Sequence, residues 1–127
     1  MKEALVVIPT YNEIENIEAI IRAVFKETEV FDVLVVDDNS PDGTAKTVSE
    51  LQDEFKGQLY LEQREGKSGL GTAYIHAFKW ALSKHYKYVC EMDADFSHDP
   101  KDLPRLFDAC NHDKADLAIG SRYISGV

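Results

Sequence analysis

Apolar residues in this chain gather into short unbroken runs, each stopped by proline, glycine or an acid, with stripes of helical spacing between them. ALVVIPT (4–10) and DVLVVDD (32–38) have the continuous character of strands buried on both faces. After the first, Asn12 is placed to cap a helix, with Glu15 three residues on completing a capping-box-like pair. Ile14, Ile17, Ile21, Val24 and Phe25 then recur at helical spacing. After the second run, Ser40 is the expected N-cap and Pro41 the first helical residue, with Thr44, Val48, Leu51 and Phe55 as the apolar stripe. QLYLEQ (58–63) is a shorter, more polar strand suited to a sheet edge. A glycine-rich loop leads to a helix over 70–84, and KYVCEMD (87–93) is a fourth strand. Pro100 opens a helix carrying Leu103, Leu106, Phe107 and Cys110, and DLAIGS (116–121) is a fifth strand.

Strands alternating with helices predict parallel pairing with right-handed crossovers, and so a doubly wound α/β sheet covered by helices on both faces. Ligands of such sheets sit beyond the carboxyl ends of the strands. The chemically rich segments PTYNE, DDNSPDG, QREGKSGLG, DADFSHD and GSRY all fall at those ends.

Composition narrows the classes. At 127 residues there is room for one domain with a real core. A net charge of −9, with no stripe of Lys and Arg, argues against a nucleic-acid backbone binder. A phosphorylated ligand remains open if a divalent cation bridges it to the acids. Cys90 and Cys110 lie in apolar stretches with no zinc-like spacing, as expected of buried free thiols in a reducing compartment. No apolar run approaches a membrane span and the start is too short for a signal peptide, so the expected location is the cytoplasm or the face of a membrane.

Asp93 and Asp95 are the sharpest candidates. In extended chain, side chains two apart point the same way, so both carboxylates can face one hard cation such as Mg²⁺ or Mn²⁺. The competing reading is a polar turn before the helix at Pro100, a service Asp99 can render alone. Asp37 and Asp38, as neighbours, face opposite ways, so one can meet a ligand while the other supports a loop. GKSGLGTA is neither a P-loop, which needs glycine where Leu61 stands, nor a dinucleotide fingerprint, which needs glycine where Tyr74 stands. It leaves a basic loop with Arg64 and Lys67, able to contact phosphate or to remain solvated. Arg122 can pair with a ligand phosphate or with the acids. His76 reads as an ordinary helix histidine and His98 as a neighbour of the acids rather than a participant.

VVIPTYNEIENI, VLVVDDNSPDGTA, GLGTAYIHAFKWAL, EMDADFSHDP and IGSRY together resemble the family-2 glycosyltransferases of the GT-A fold, and within them the dolichyl- or polyprenol-phosphate mannosyltransferase branch. GLGTAYIHA with MDADFSHDP is the narrower part of the match. The resemblance implies that Pro9, Tyr11, Glu13, Val36 and Asp38 line a nucleotide pocket, with Asp38 near the base or ribose. It implies that Asp93, Ala94 and Asp95 lie against the diphosphate, the two acids holding Mg²⁺ or Mn²⁺, and that Arg122 touches the donor's phosphate or sugar, giving Asp95 and Arg122 the catalytic roles. Some relatives have glutamine as a further metal ligand where Ser97 stands. The implied reaction is an inverting transfer of a sugar, mannose from GDP-mannose being favoured over a UDP-sugar, to a polyprenol phosphate at a membrane surface. Family catalytic domains run longer, so residues 1–127 are expected to be the donor-binding half, truncated at the C-terminal end and able to form a homodimer through uncovered sheet. Two other readings stand beside it: a nucleotide-sugar-binding module without turnover, and a receiver-type signalling domain. The receiver is disfavoured by Thr10-Tyr11-Asn12 where it needs an acid pair, and by Ser121-Arg122 where it needs lysine.

Overall fold

In a computed structural model of the chain, residues 3–27, 29–65, 70–95, 99–105 and 117–119 are described. Five strands, β1 (Ala4–Thr10), β2 (Phe31–Asp37), β3 (Leu59–Gln63), β4 (Tyr88–Glu91) and β5 (Leu117–Ile119), form one sheet in the order β3-β2-β1-β4-β5. All four pairings are parallel, with Ile8 opposite Val35 and Val7 opposite Glu91. The α/β expectation holds, and β3 is indeed an edge. The order also removes the receiver-type alternative, whose doubly wound sheet runs 2-1-3-4-5. Here β1 lies between β2 and β4, so the winding reverses at the β1/β4 crevice.

The two faces are covered by different means. Helices α1 (Ile17–Glu27) and α2 (Thr44–Glu54) lie on one face, where Ile17, Ile20, Ile21, Val24, Val48 and Leu51 meet Val6, Ile8, Val33 and Val35. Helix α3 (Leu70–Ser83) covers the other with a stripe of small residues, Ala73, Ala77 and Ala81, set against Leu5, Val7, Leu34 and Val36. Spacing of four residues keeps those alanines on one side of the helix, and their size lets its backbone approach the sheet closely. Trp80 and Tyr60 pack beside them. Of the two expected buried thiols, Cys90 is buried and Cys110 lies outside the described residues.

Several element ends differ from the expectation. Helix α1 begins at Ile17, not beside Asn12, and Ile14 is 39% exposed. Asn12 adopts a left-handed φ of 57° and Glu13 instead accepts the amides of Asn16 and Ile17 through its carbonyl. Helix α2 begins at Thr44 with Gly43 as N-cap at φ 92°, a conformation that glycine adopts without steric penalty, so Ser40 and Pro41 lie before the helix. Strand β4 stops at Glu91, two residues short of Asp93. Asp99 does cap the next turn: its carboxylate accepts the Lys101 amide at 3.0 Å ahead of a 3-10 turn over Pro100–Asp102, and Leu103 is buried beyond it. Leu106, Phe107 and Cys110 lie outside the described residues.

Candidate functional site

The loops that follow β1 and β2 are knitted together above the sheet. Three consecutive amides, of Asn12, Glu13 and Ile14, donate to Ser40 Oγ (2.9 Å), Thr44 Oγ1 (3.0 Å) and Asp42 Oδ2 (3.1 Å). Asp37 closes the base of the knot: its carboxylate accepts Thr10 Oγ1 at 2.7 Å, Ser40 Oγ at 2.6 Å and the Ser40 amide at 2.9 Å. Asp42 in turn accepts the amide of Thr44 at 3.0 Å and its hydroxyl at 2.5 Å. Burial would raise the Asp42 pKa, but these donors outweigh it and hold the carboxyl below its ordinary 3.8.

Asp37 and Asp38 face opposite ways, as the alternation predicts. Asp37 supports the loop, whereas Asp38 sits on the other side and is gripped by Arg64, Nε to Oδ1 at 2.5 Å and Nη2 to Oδ2 at 2.7 Å. Arg64 also donates to Thr72 Oγ1 on α3 at 3.0 Å. Its sequence context suggested a phosphate contact, and the side chain is instead committed to an acid 26 residues away. Lys67 lies outside the described residues.

Across the β1/β4 crevice stand the acids of the DAD segment. Ala94 is buried in the core on the α1 side, Asp93 is half-buried and Asp95 exposed. Both acids act on Glu13 from β1's loop. Burial raises the Glu13 pKa first, Asn16 opposes it, and the negative charges of Asp95, Asp42 and Asp93 raise it further. Carboxylates brought within electrostatic reach of one another at a crevice are a donor set suited to a hard divalent cation. No group of three His, Cys, Asp or Glu able to hold a metal occurs among the described residues. Mg²⁺ is commonly held by one or two carboxylates together with ligand oxygens and water. On the α3 side, Tyr74 Oη lies 3.5 Å from Asp93 Oδ1, and Glu91 is half-buried beneath them.

Of the other expected pocket residues, Pro9 lies opposite Val36 one residue before β1 ends at Thr10, and Tyr11, just beyond the strand, is 38% exposed. The Val36 side chain is wholly within the core under α3 and has no exposed surface. Arg122, Ser97 and His98 lie outside the described residues. His76 turns away to the β3 edge, 3.0 Å from Glu62, as an ordinary helix histidine would. Ser40, Asp42, Thr44 and Tyr74 were not singled out as site residues. Only the Asp-Gly turn signal at 42–43 hinted at the first three, and nothing in local periodicity distinguishes Tyr74.

Residues 5–127 match the family described as glycosyl transferase family 2. This chain belongs to that family. It is 46% identical over 125 residues to the polyprenol monophosphomannose synthase of Mycolicibacterium smegmatis, covering 98% of this chain and 47% of that protein. It is 45% identical over 122 residues to the undecaprenyl-phosphate mannosyltransferase of Micrococcus luteus, covering 96% of this chain and 49% of that one. The chain thus spans about half the length of the curated relatives it matches. Among solved structures it is similar to S. aureus TarS 1-349 in complex with UDP, with TM-score 0.68 and 27% identity over 88% of this chain and 32% of that one. It is also similar to the mannosyltransferase PcManGT from Pyrobaculum calidifontis in complex with GDP-Man and Mn²⁺, with TM-score 0.58 and 28% identity over 62% of this chain and 24% of that one. The sheet described above is thus a parallel α/β sheet of the kind found in GT-A glycosyltransferases.

Proposed function

We propose that this chain is the donor-binding half of a mannosyltransferase that moves mannose from GDP-mannose to a polyprenol phosphate with inversion at the anomeric carbon. The observation that carries the reading is the placement of the Asp93-Ala94-Asp95 segment after β4 at the β1/β4 switch point, in a chain 46% identical to a polyprenol monophosphomannose synthase. Asp93 and Asp95 would hold Mg²⁺ or Mn²⁺, which supplies a Lewis acid to the charge that grows on the departing nucleoside diphosphate. Tyr11 offers its exposed ring to the base, and Asp38, fixed by Arg64, keeps an oriented carboxylate near the base or ribose. Pro9 lies at the edge of the site and Arg122 serves the donor phosphate, whereas Val36 and Ala94, buried on opposite faces of the sheet, support it only from within the core. In the reaction the bond from the anomeric carbon to the diphosphate breaks while a phosphate oxygen of the acceptor forms the new one. That oxygen is anionic at neutral pH, so the protein need not remove a proton. No helix among the described residues is long and apolar enough to cross a membrane.

Calorimetric titration with GDP-mannose and UDP-glucose, in Mn²⁺ and again in EDTA, tests the reading. GDP-mannose should bind in Mn²⁺ and lose at least about 10-fold in affinity in EDTA or on Asp95→Ala. Preference for UDP-glucose would overturn the base assignment, and no binding to a folded chain would overturn the donor site.

A further inference from the structure

The two segments that make the resemblance narrow, GLGTAYIHA (69–77) and EMDADFSHDP (91–100), touch at one point: Tyr74 Oη and Asp93 Oδ1, 3.5 Å apart. Helix α3 presents its polar side chains to two sides. Thr72 and His76 turn toward the β3 edge, where they meet Arg64 and Glu62. Tyr74, between them in sequence, lies about a third of a turn round from the alanine stripe and turns the other way, toward the end of β4. Its ring stacks on Phe78 one turn along, centroids 6.4 Å apart and planes 19° off parallel. A phenol keeps its proton at neutral pH, so the hydroxyl is a donor. Glu91 precedes Asp93 by two residues and its own pKa is raised by burial and then by Asp93.

We propose that Tyr74 is a positioning residue for the cation site, its hydroxyl donating to Asp93 Oδ1 and fixing the rotation of that carboxylate. The inference rests on the reading of Asp93 and Asp95 as cation ligands. Two half-buried carboxylates two residues apart repel, which favours turning Asp93 away from Glu91. A neutral donor held by ring packing on a helix counters that, and outer partners of this kind commonly set metal affinity 10- to 100-fold, by order of magnitude. At 3.5 Å the contact is longer than an ordinary O–H···O bond, so for this role it must shorten when the ligand arrives.

Tyr74→Phe keeps the ring and its packing and deletes only the donor. Mn²⁺ titration in the presence of GDP, on the 127-residue chain, should show about 10-fold weaker metal binding for the variant, with an unchanged melting temperature in the absence of metal. In parallel, 3-fluorotyrosine placed at position 74 should shift its ¹⁹F resonance when Mg²⁺ and GDP are added together. Equal Mn²⁺ affinity in Tyr74→Phe overturns the inference, as does a resonance that does not move. If the variant does not fold, the resonance alone decides. A wild-type chain that is folded yet takes no Mn²⁺ with GDP overturns the cation-site reading itself, and this inference falls with it.

Discussion

Removing the guanidinium of Arg64 while leaving Asp38 in place should be among the more damaging single changes outside the apolar core. The pair is bidentate and its side chains are only 13% and 9% exposed, so water can neither screen the attraction nor replace the lost partner. Breaking such a pair costs about 3–5 kcal/mol, because the surviving charge stays buried without its counterion. The small residual exposure places Arg64→Met at the lower end, at about 3 kcal/mol. An unfolding entropy of about 2.1 cal/mol/K per residue over 127 residues turns that into a fall in melting temperature of about 11 °C. Arg22, also bidentate on Glu54 at 2.6 and 2.8 Å, makes the useful contrast, since its side chain and that of Glu54 are 44% and 52% exposed. Arg22→Met should hardly move the midpoint, as exposed pairs contribute little. Chemical denaturation of Arg64→Met, Asp38→Leu and the double variant is the assay. The double variant should recover to within about 1 kcal/mol of wild type, since replacing both charges leaves none stranded. An Arg64→Met loss under about 1 kcal/mol, or a double variant that loses the sum of the singles, would refute the reasoning.

Two further outcomes are expected. Ala77→Leu should lower stability by about 1–3 kcal/mol in urea, because the added methylenes enter the tight seam between α3 and the sheet; an unchanged midpoint would mean that α3 is not seated closely. Asp42, whose pKa is held below 3.8, contributes stability that is fully present above that ordinary value and is lost as the pH falls through the depressed one. The stability gap between wild type and Asp42→Ala should therefore narrow toward pH 2, by roughly the ionisation-linked part, and a gap that stays constant across the acid range would contradict it.

Much of the architecture was legible because it is written in local terms. Continuous runs such as ALVVI and VLVV are buried on both faces, as strands of a covered parallel sheet are, and the stripes of α1 and α2 fixed their inward sides. What misled was the capping chemistry. Asn12, Ser40 and Pro41 have the residue types that start helices, but the tertiary knot between two loops recruits Ser40 to Asp37 and to the Asn12 amide, and both helices start later. At the site, alternation told that Asp37 and Asp38 would part company. Which one turned inward depended on Thr10 and Arg64, 27 and 26 residues away, and no local pattern encodes that. Tyr74 was likewise hidden, since its partner at Asp93 is defined only once α3 lies across the sheet.

The staple between the first two loops has an electrostatic meaning. In dinucleotide-binding sheets the peptide dipoles that follow the first strand are left open, and the pyrophosphate rests on them. Here the three amides at 12–14 already point into oxygens of Ser40, Thr44 and Asp42. The backbone has spent its positive ends on its own architecture and presents none there to an incoming anion. For the proposed donor, in a chain of net charge −9, the positive charge a diphosphate needs over this crevice would then come from side chains such as Arg122 and from a small, doubly charged ion carried in with the nucleotide.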